Sequence, residues 1–247
     1  MKAPRYAIYF APLPEEPLAQ FGRDVLGYDA ETGTEIRQLV LPGISDSAMW
    51  EATRDPRFYG FHATLKAPFH LAHGSGEDHL RDALAGLAEG IEPFAIDLRL
   101  SAIGGFLALV PVEVDARLQA LESEIVDKFD GFRAPLTPAD VVRRLKTDLT
   151  DRQKSYLARH GYPFVKEEFR FHMTLTGKLD AGQRDLFAPA LQAALDGYTH
   201  GPRAEITSLA LFRQETREDR FRIVGRVPLG RGAMEGAARH RSVMREA

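Results

Sequence analysis

Two hexapeptides in this chain share one pattern. Phe61-His62-Ala63-Thr64-Leu65-Lys66 and Phe171-His172-Met173-Thr174-Leu175-Thr176 both read aromatic-His-x-Thr-Leu, one in each half of the 247 residues. In an extended chain, side chains alternate between two faces. His62, Thr64 and Lys66 therefore share one face, and Phe61, Ala63 and Leu65 the other, apolar one. The second hexapeptide sorts the same way, with Arg170, His172, Thr174 and Thr176 opposite Phe171, Met173 and Leu175. A lone His in a strand is commonly a hydrogen-bonded core residue. A matched pair on two like strands is a different matter. If both polar faces meet one cleft, that cleft holds two imidazoles, hydroxyls and the cations Lys66 and Arg170.

Such a set suits a phosphodiester. Histidine titrates near neutral pH and can take or give a proton there. One imidazole can accept a proton from the attacking oxygen while the other donates to the leaving oxygen, each role being worth roughly 10²–10⁴ in rate. The expected catalytic pair is His62 and His172. Thr64, Thr174, Lys66, Arg170 and Thr176 would bind the phosphate, where fixed donors matter most as charge develops. Arg143, Arg144 and Lys146 form a basic turn that could grip a second phosphate, although a solvated helix face is the plainer reading. Tyr6, Tyr9 and Tyr59 could stack on a base or simply fill a core. A metal site is the rival reading: His62 and His172 could be joined by His70, His73 or His79. However, His70-x-x-His73 runs into a Gly-rich turn without adjacent carboxylates, so no metal and no cofactor are expected.

The two motifs resemble those of the two-histidine phosphoesterase superfamily, which includes bacterial RNA-ligase-like proteins and cyclic phosphodiesterases. The stretches RYAIYFAP, FHATLKAPF and FRFHMTLTGKL are similar to a branch encoded beside phosphonate-utilisation genes. The resemblance implies a bilobal, pseudo-symmetric α+β fold, metal-independent chemistry on cyclic or 2′–5′ phosphodiesters, and a place in phosphonate utilisation. His62, Thr64, His172 and Thr174 match its motif positions. Its implied substrate is a phosphoribosyl 1,2-cyclic phosphate or a nucleoside 2′,3′-cyclic phosphate. The alternatives are a ligase or cyclic phosphodiesterase acting on RNA ends and a nucleotide-binding module without turnover.

The elements that must hold the motifs follow from periodicity. Strands are expected at Arg5–Ala11, Tyr59–Phe69, Phe94–Ala102, Phe106–Val112, Glu167–Gly177, Ala204–Gln214 and Arg220–Pro228. Helices are expected at Pro17–Leu26, Ser45–Arg54, Glu77–Gly90, Asp115–Phe129, Asp140–Leu149, Asp151–His160 and Asp180–Leu195, the last bent at Pro189. Sequence-adjacent strands with tight turns favour antiparallel pairing, hence an α+β fold. We expect a pseudo-two-fold arrangement of two small antiparallel sheets, helices outside, facing one central cleft. Residues 1–229 would form a single bilobal domain, with lobes near 1–112 and 113–229 and a helical insert or lid at about 130–163. Residues 230–247, rich in Gly, Ala and Arg, would be a disordered tail.

Composition narrows the field further. Hydrophobic residues make up 44% and charged residues 27%, the mix of a globular chain with a full core. The absence of cysteine excludes disulfides, thiolate ligands and a cysteine nucleophile. Lys and Arg total 32 against 35 Asp and Glu, a net charge of −3, so polymeric nucleic acid is not the expected partner. The partner would instead be a small phosphorylated sugar or nucleotide. No apolar run is long enough to span a bilayer and no signal peptide is evident, so a cytoplasmic location with no membrane contact is expected.

Overall fold

The computed structural model describes residues 3–145 and 148–230. The expected disordered tail lies, beyond Gly230, outside the described residues, as does Lys146. Among the described residues there are ten strands: β1 (Arg5–Phe10), β2 (Tyr28–Asp29), β3 (Thr34–Glu35), β4 (Ala63–His70), β5 (Phe94–Ile103), β6 (Phe106–Pro111), β7 (Met173–Thr174), β8 (Arg203–Ile206), β9 (Ser208–Gln214) and β10 (Arg222–Pro228). The helices are α1 (Pro17–Leu26), α2 (Asp46–Ala52), α3 (Arg54–Arg57), α4 (Glu77–Ala88), α5 (Ala116–Lys128), α6 (Pro138–Arg144), α7 (Asp151–His160) and α8 (Ala181–Tyr198). Their ends are written in the sequence. Ser45 caps α2 by accepting from the Ala48 N–H. Thr137, Thr150 and Asp180 open α6, α7 and α8 with reciprocal capping boxes. Gly27 and Gly161 close α1 and α7 in the left-handed conformation.

Eight strands form one antiparallel sheet in the order β10-β9-β1-β4-β7-β6-β5-β8, while β2 and β3 pair separately. Each half of this sheet has four strands with its motif strand innermost, and the halves join along β4 and β7. The α+β class and the pairing of two like halves are therefore present, with the two half-sheets continuous edge to edge. The halves are not successive in sequence. β9 and β10 complete the half that contains β1 and β4, and β5 and β6 lie beside β7. A boundary near residue 112 does not follow the sheet.

The stretch read as one strand, Ala204–Gln214, is two. β8 and β9 lie near opposite ends of the sheet order, yet only Thr207 separates them. Two residues span at most about 7 Å, so the sheet curls until its ends approach. Tyr6, Ile8 and Phe10 of β1 face a core built with Leu80 and Leu84 of α4, Leu121 and Ile125 of α5, Phe21 of α1 and Leu191 of α8. Ala7, Tyr9 and Ala11 alternate to the opposite face, where they meet Ala210, Phe212 and Phe221 in a smaller cluster. The candidate site lies on this second face.

Candidate active site

Both histidines stand immediately before their strands and are held by the same local device. Phe61 and Phe171 are buried in the main core and anchor the backbone on each side. The Nδ1–H of His62 donates to the Gly60 carbonyl at 2.9 Å, and that of His172 donates to the Arg170 carbonyl at 2.7 Å. In each case the acceptor is two residues upstream. A carbonyl oxygen only accepts, so Nδ1 carries the proton in both rings and Nε2 is the nitrogen left for chemistry. Gly60 makes the first of these turns possible. Its φ is +75°, and a Cβ there would sit 2.8 Å from the Ala30 Cβ.

The strand pairing brings the motifs together. Ala63 of β4 is the antiparallel partner of Met173 of β7. Extending that register by one residue sets Thr64 across from His172 and Thr174 across from His62. Directly opposed Cβ atoms are about 4.5–5.5 Å apart and diagonal ones about 7–8 Å, so the two imidazoles flank a space the size of a phosphate group. The four side chains border one cleft of about 520 Å³.

The two histidines differ in surroundings. His62 is stacked on Tyr9, with ring centroids 3.9 Å apart and planes 22° from parallel, and lies near Phe212 and Tyr59. Its Nε2 meets the Thr64 hydroxyl at 3.2 Å. Burial pushes its pKa down to about 4, helped by the proximity of His172 and only partly opposed by the Gly60 carbonyl. His62 is therefore neutral at pH 7, and its Nε2, which bears no proton, is an acceptor that the Thr64 hydroxyl occupies in this structure. His172 is half-buried, and its ring lies 5.7 Å from that of Phe106.

Four arginines complete the cleft: Arg5, Arg143, Arg144 and Arg217. Arg143 and Arg217 both donate to Oδ1 of Asp140, at 2.6 and 2.7 Å. Against the desolvation of that carboxyl, hydrogen bonds from Thr137 and Arg143 hold it well below the ordinary carboxylate range. Arg5 is oriented by the side-chain oxygen of Gln214, and Arg144 lies over the Tyr162 ring at 5.2 Å. Arg143 and Arg144 are thus on the cleft, brought there by the last turn of α6. Arg5, Tyr162 and Arg217 do not stand out in the sequence as site residues. For Arg5 a signal exists: Arg5, Ala7, Tyr9 and Ala11 alternate onto one face of β1, and the two alanines leave room above that face.

Three expected phosphate ligands are not brought to the cleft. Strict alternation places Lys66 beside Thr64, but β4 carries irregularities. Tyr9 pairs with Thr64, Ile8 with Lys66 and Tyr6 with Phe69, so β4 spends an extra residue in each interval. Pro68, which has no N–H for the ladder, lies within the second. These bulges turn Lys66 to the helical side, where it is 4% exposed, donates to the Val126 carbonyl at the end of α5 and lies 3.6 Å from Asp130. Thr176 is fully buried: its hydroxyl accepts the Leu107 N–H and donates to the Gly177 carbonyl. Arg170 folds back on the carbonyls of Glu167 and Phe169. The strand expected over Glu167–Gly177 is reduced to Met173–Thr174. A 3-10 turn at Lys166–Glu168, with Lys166 at φ +55°, occupies its start.

Among the described residues, no group of three or more His, Asp or Glu side chains is placed to hold a metal ion. No helix among them is long and apolar enough to cross a membrane.

Two curated relatives are both called ribose 1,5-bisphosphate phosphokinase PhnN. The one from Janthinobacterium sp. (strain Marseille) is 35% identical over 215 residues, covering 85% of this chain and 48% of that protein. The one from Laribacter hongkongensis (strain HLHK9) is 33% identical over 219 residues, covering 89% and 50%. The chain spans about half the length of these curated relatives. Solved structures similar to it include E. coli LigT complexed with 3′-AMP, at 13% identity, 92% and 99% coverage and a TM-score of 0.41. Another is TT0787 of Thermus thermophilus, at 16% identity, 92% and 98% coverage and a TM-score of 0.42. Residues 64–222, which include Thr64, Arg143, Arg144, His172, Thr174 and Arg217, match the family described as "Protein of unknown function (DUF1045)", and the chain belongs to that family.

Proposed function

We propose that this protein is a metal-independent phosphodiesterase that hydrolyses a small cyclic phosphodiester on a ribose-like sugar, with His62 as general base and His172 as general acid. One observation carries the reading: two imidazoles, each with Nδ1 pinned by the carbonyl two residues upstream, face one cleft from adjacent strands, each with a threonine hydroxyl opposite. In the step, the neutral His62 Nε2 takes a proton from water and the water oxygen bonds to phosphorus. The bond from phosphorus to the ring oxygen breaks, and Nε2–H of His172 gives that oxygen its proton. Thr64 and Thr174 donate to the non-bridging oxygens, and the nearby arginines offset the charge that grows on them. The burial that keeps His62 neutral favours it for the accepting role; the two motifs alone, being nearly identical, make no such distinction.

The substrate classes supported are a phosphoribosyl 1,2-cyclic phosphate and a nucleoside 2′,3′-cyclic phosphate. The relatives' name, an enzyme of a phosphorylated ribose, favours the first and fits a role in phosphonate utilisation. The test is kcat/KM in the presence of EDTA on both compounds and on a short RNA ending in a cyclic phosphate. Turnover of a small compound, lost in His62→Ala and His172→Ala, supports the reading. Dependence on a divalent ion, or a preference for the RNA of about a hundredfold or more with a steep salt dependence, overturns it. Binding without turnover of any of the three would leave a recognition module instead.

A further inference from the structure

We infer that the arginine end of the cleft is a second anion subsite, built for a phosphomonoester carried by the same sugar as the reacting diester. This rests on the reading above and specifies its substrate class. Arg5, Arg143, Arg144 and Arg217 border the cleft, and no Asp or Glu borders it among the described residues. The carboxylate that answers them is Asp140, and its Oδ1 is shared by Arg143 and Arg217. Arg5 is held by a neutral amide, Gln214, and Arg144 by an aromatic ring, Tyr162. Four guanidiniums thus border the cleft while one carboxylate answers two of them, leaving a surplus of three positive charges. Nε of Arg144 is buried with no acceptor.

A cyclic phosphodiester brings one negative charge, which is too little for this surplus. A phosphomonoester adds about −1.5 to −2 and three acceptor oxygens suited to guanidinium donors. A sugar bearing both groups matches the cleft's charge closely, and a sugar bearing only the ring does not.

Position supports the same conclusion. Tyr9 of β1 pairs with Thr64, level with the histidines, whereas Arg5 lies four residues away on β1, about 13 Å along the strand. Its long side chain reaches part of the way back. Arg143 and Arg144 enter from α6, and Arg217 from the turn between β9 and β10. The cationic groups therefore enter the cleft from segments other than the two motif strands that carry the His–Thr quartet. The supports are also independent of any ligand: Gln214 is itself fixed by donating to the Asp219 carbonyl at 2.5 Å. The donors are positioned in advance, the condition under which remote binding energy can be used at the reacting end.

The experiment pairs substrates that differ only at the second group. Phosphoribosyl 1,2-cyclic phosphate is compared with ribosyl 1,2-cyclic phosphate, and a nucleoside 2′,3′-cyclic phosphate with and without a 5′-phosphate. The expected result is a kcat/KM advantage of about a hundredfold or more for the phosphorylated member of the series that is turned over. Arg144→Gln and Arg5→Gln should each shrink that advantage by at least about tenfold, with Arg144→Lys recovering part of it. Arg143→Gln, on an exposed turn, serves if either variant fails to fold. An advantage below about threefold in both series, or one unchanged by every arginine variant, overturns the subsite. Titration with ribose 5-phosphate against ribose judges it apart from catalysis. If no cyclic phosphate is hydrolysed but ribose 5-phosphate binds and Arg144→Gln abolishes that binding, the proposed reaction fails and the subsite stands. If ribose 5-phosphate binds no better than ribose, the subsite fails.

Discussion

Lowering the pH should reveal the burial of His62 as a loss of stability. Its folded pKa is about 4, against about 6.5 in an unfolded chain. Between these values the unfolded state binds more protons than the folded one, so stability rises with pH across that window. His62's favourable contribution is fully present above about pH 6.5 and is lost as pH falls toward 4. A difference of one in pKa between the two states is worth about 1.36 kcal/mol, so the full window amounts to about 3.4 kcal/mol. Between pH 7.0 and 4.5 the same two values give a loss of at most about 2.4 kcal/mol. The assay is urea denaturation of the wild type and His62→Gln at several pH values, read as the difference between the two curves. Groups such as Glu122 and His160 titrate in both proteins and cancel in that difference. The wild type should lose about 2 kcal/mol more than the variant on going from pH 7.0 to 4.5. Parallel curves, within about 0.5 kcal/mol, would show that burial does not hold His62 neutral, and the assignment of His62 as base would fall with it.

On the proposed substrates, His62→Ala or His172→Ala should lower kcat by about a hundredfold or more, and Thr64→Ala or Thr174→Ala by about ten- to a thousandfold, measured at saturating substrate with folding checked by circular dichroism. Glu122 is 1% exposed, accepts the Lys166 N–H and has its pKa raised to about 7 by burial. Its raised folded pKa means stability is lost as pH rises from about 4.3 to 7. Glu122→Gln, which keeps the acceptor, should therefore be more stable than wild type at pH 8 by about 1–3 kcal/mol and lose that advantage at pH 5, as denaturant titrations would show. Lys66→Met should leave kcat/KM within about twofold and stability within about 2 kcal/mol, because Asp130 keeps Arg133 at 3.0 Å while a desolvated ammonium is removed. A hundredfold loss of activity there would put Lys66 back among the phosphate ligands.

The chemistry of the site was legible because it is local. An aromatic anchor, a histidine and a threonine at alternate positions form one local unit, and the repeated unit announced that two such strands would meet. The same locality explains the helices, whose caps at Ser45, Thr137, Thr150 and Asp180 stand next to the turns they begin. What alternation could not convey is an added residue in a ladder. A bulge changes face parity downstream of itself, so Thr64 keeps its expected side while Lys66, two residues later, does not. Nor could it show that an apolar run serves two places, as Ala204–Gln214 does on either side of Thr207.

The cationic end of the cleft was legible only in part: Arg143 and Arg144 read as a basic turn able to grip a second phosphate, whereas Arg5 and Arg217 did not stand out. Its arginines come from the start of β1, the end of α6 and the turn after β9, segments far apart in sequence that the curled sheet brings to one rim. Arg5 and Arg217 look like ordinary surface charges in their own neighbourhoods, and the overall charge of −3 conceals the cluster. Net charge reports on long-range attraction to large polyanions, whereas a small anion responds to the few charges within about a Debye length. An acidic chain can therefore hold a strongly cationic cleft, and the same composition that disfavours a polymer is compatible with a compact substrate carrying more than one phosphate.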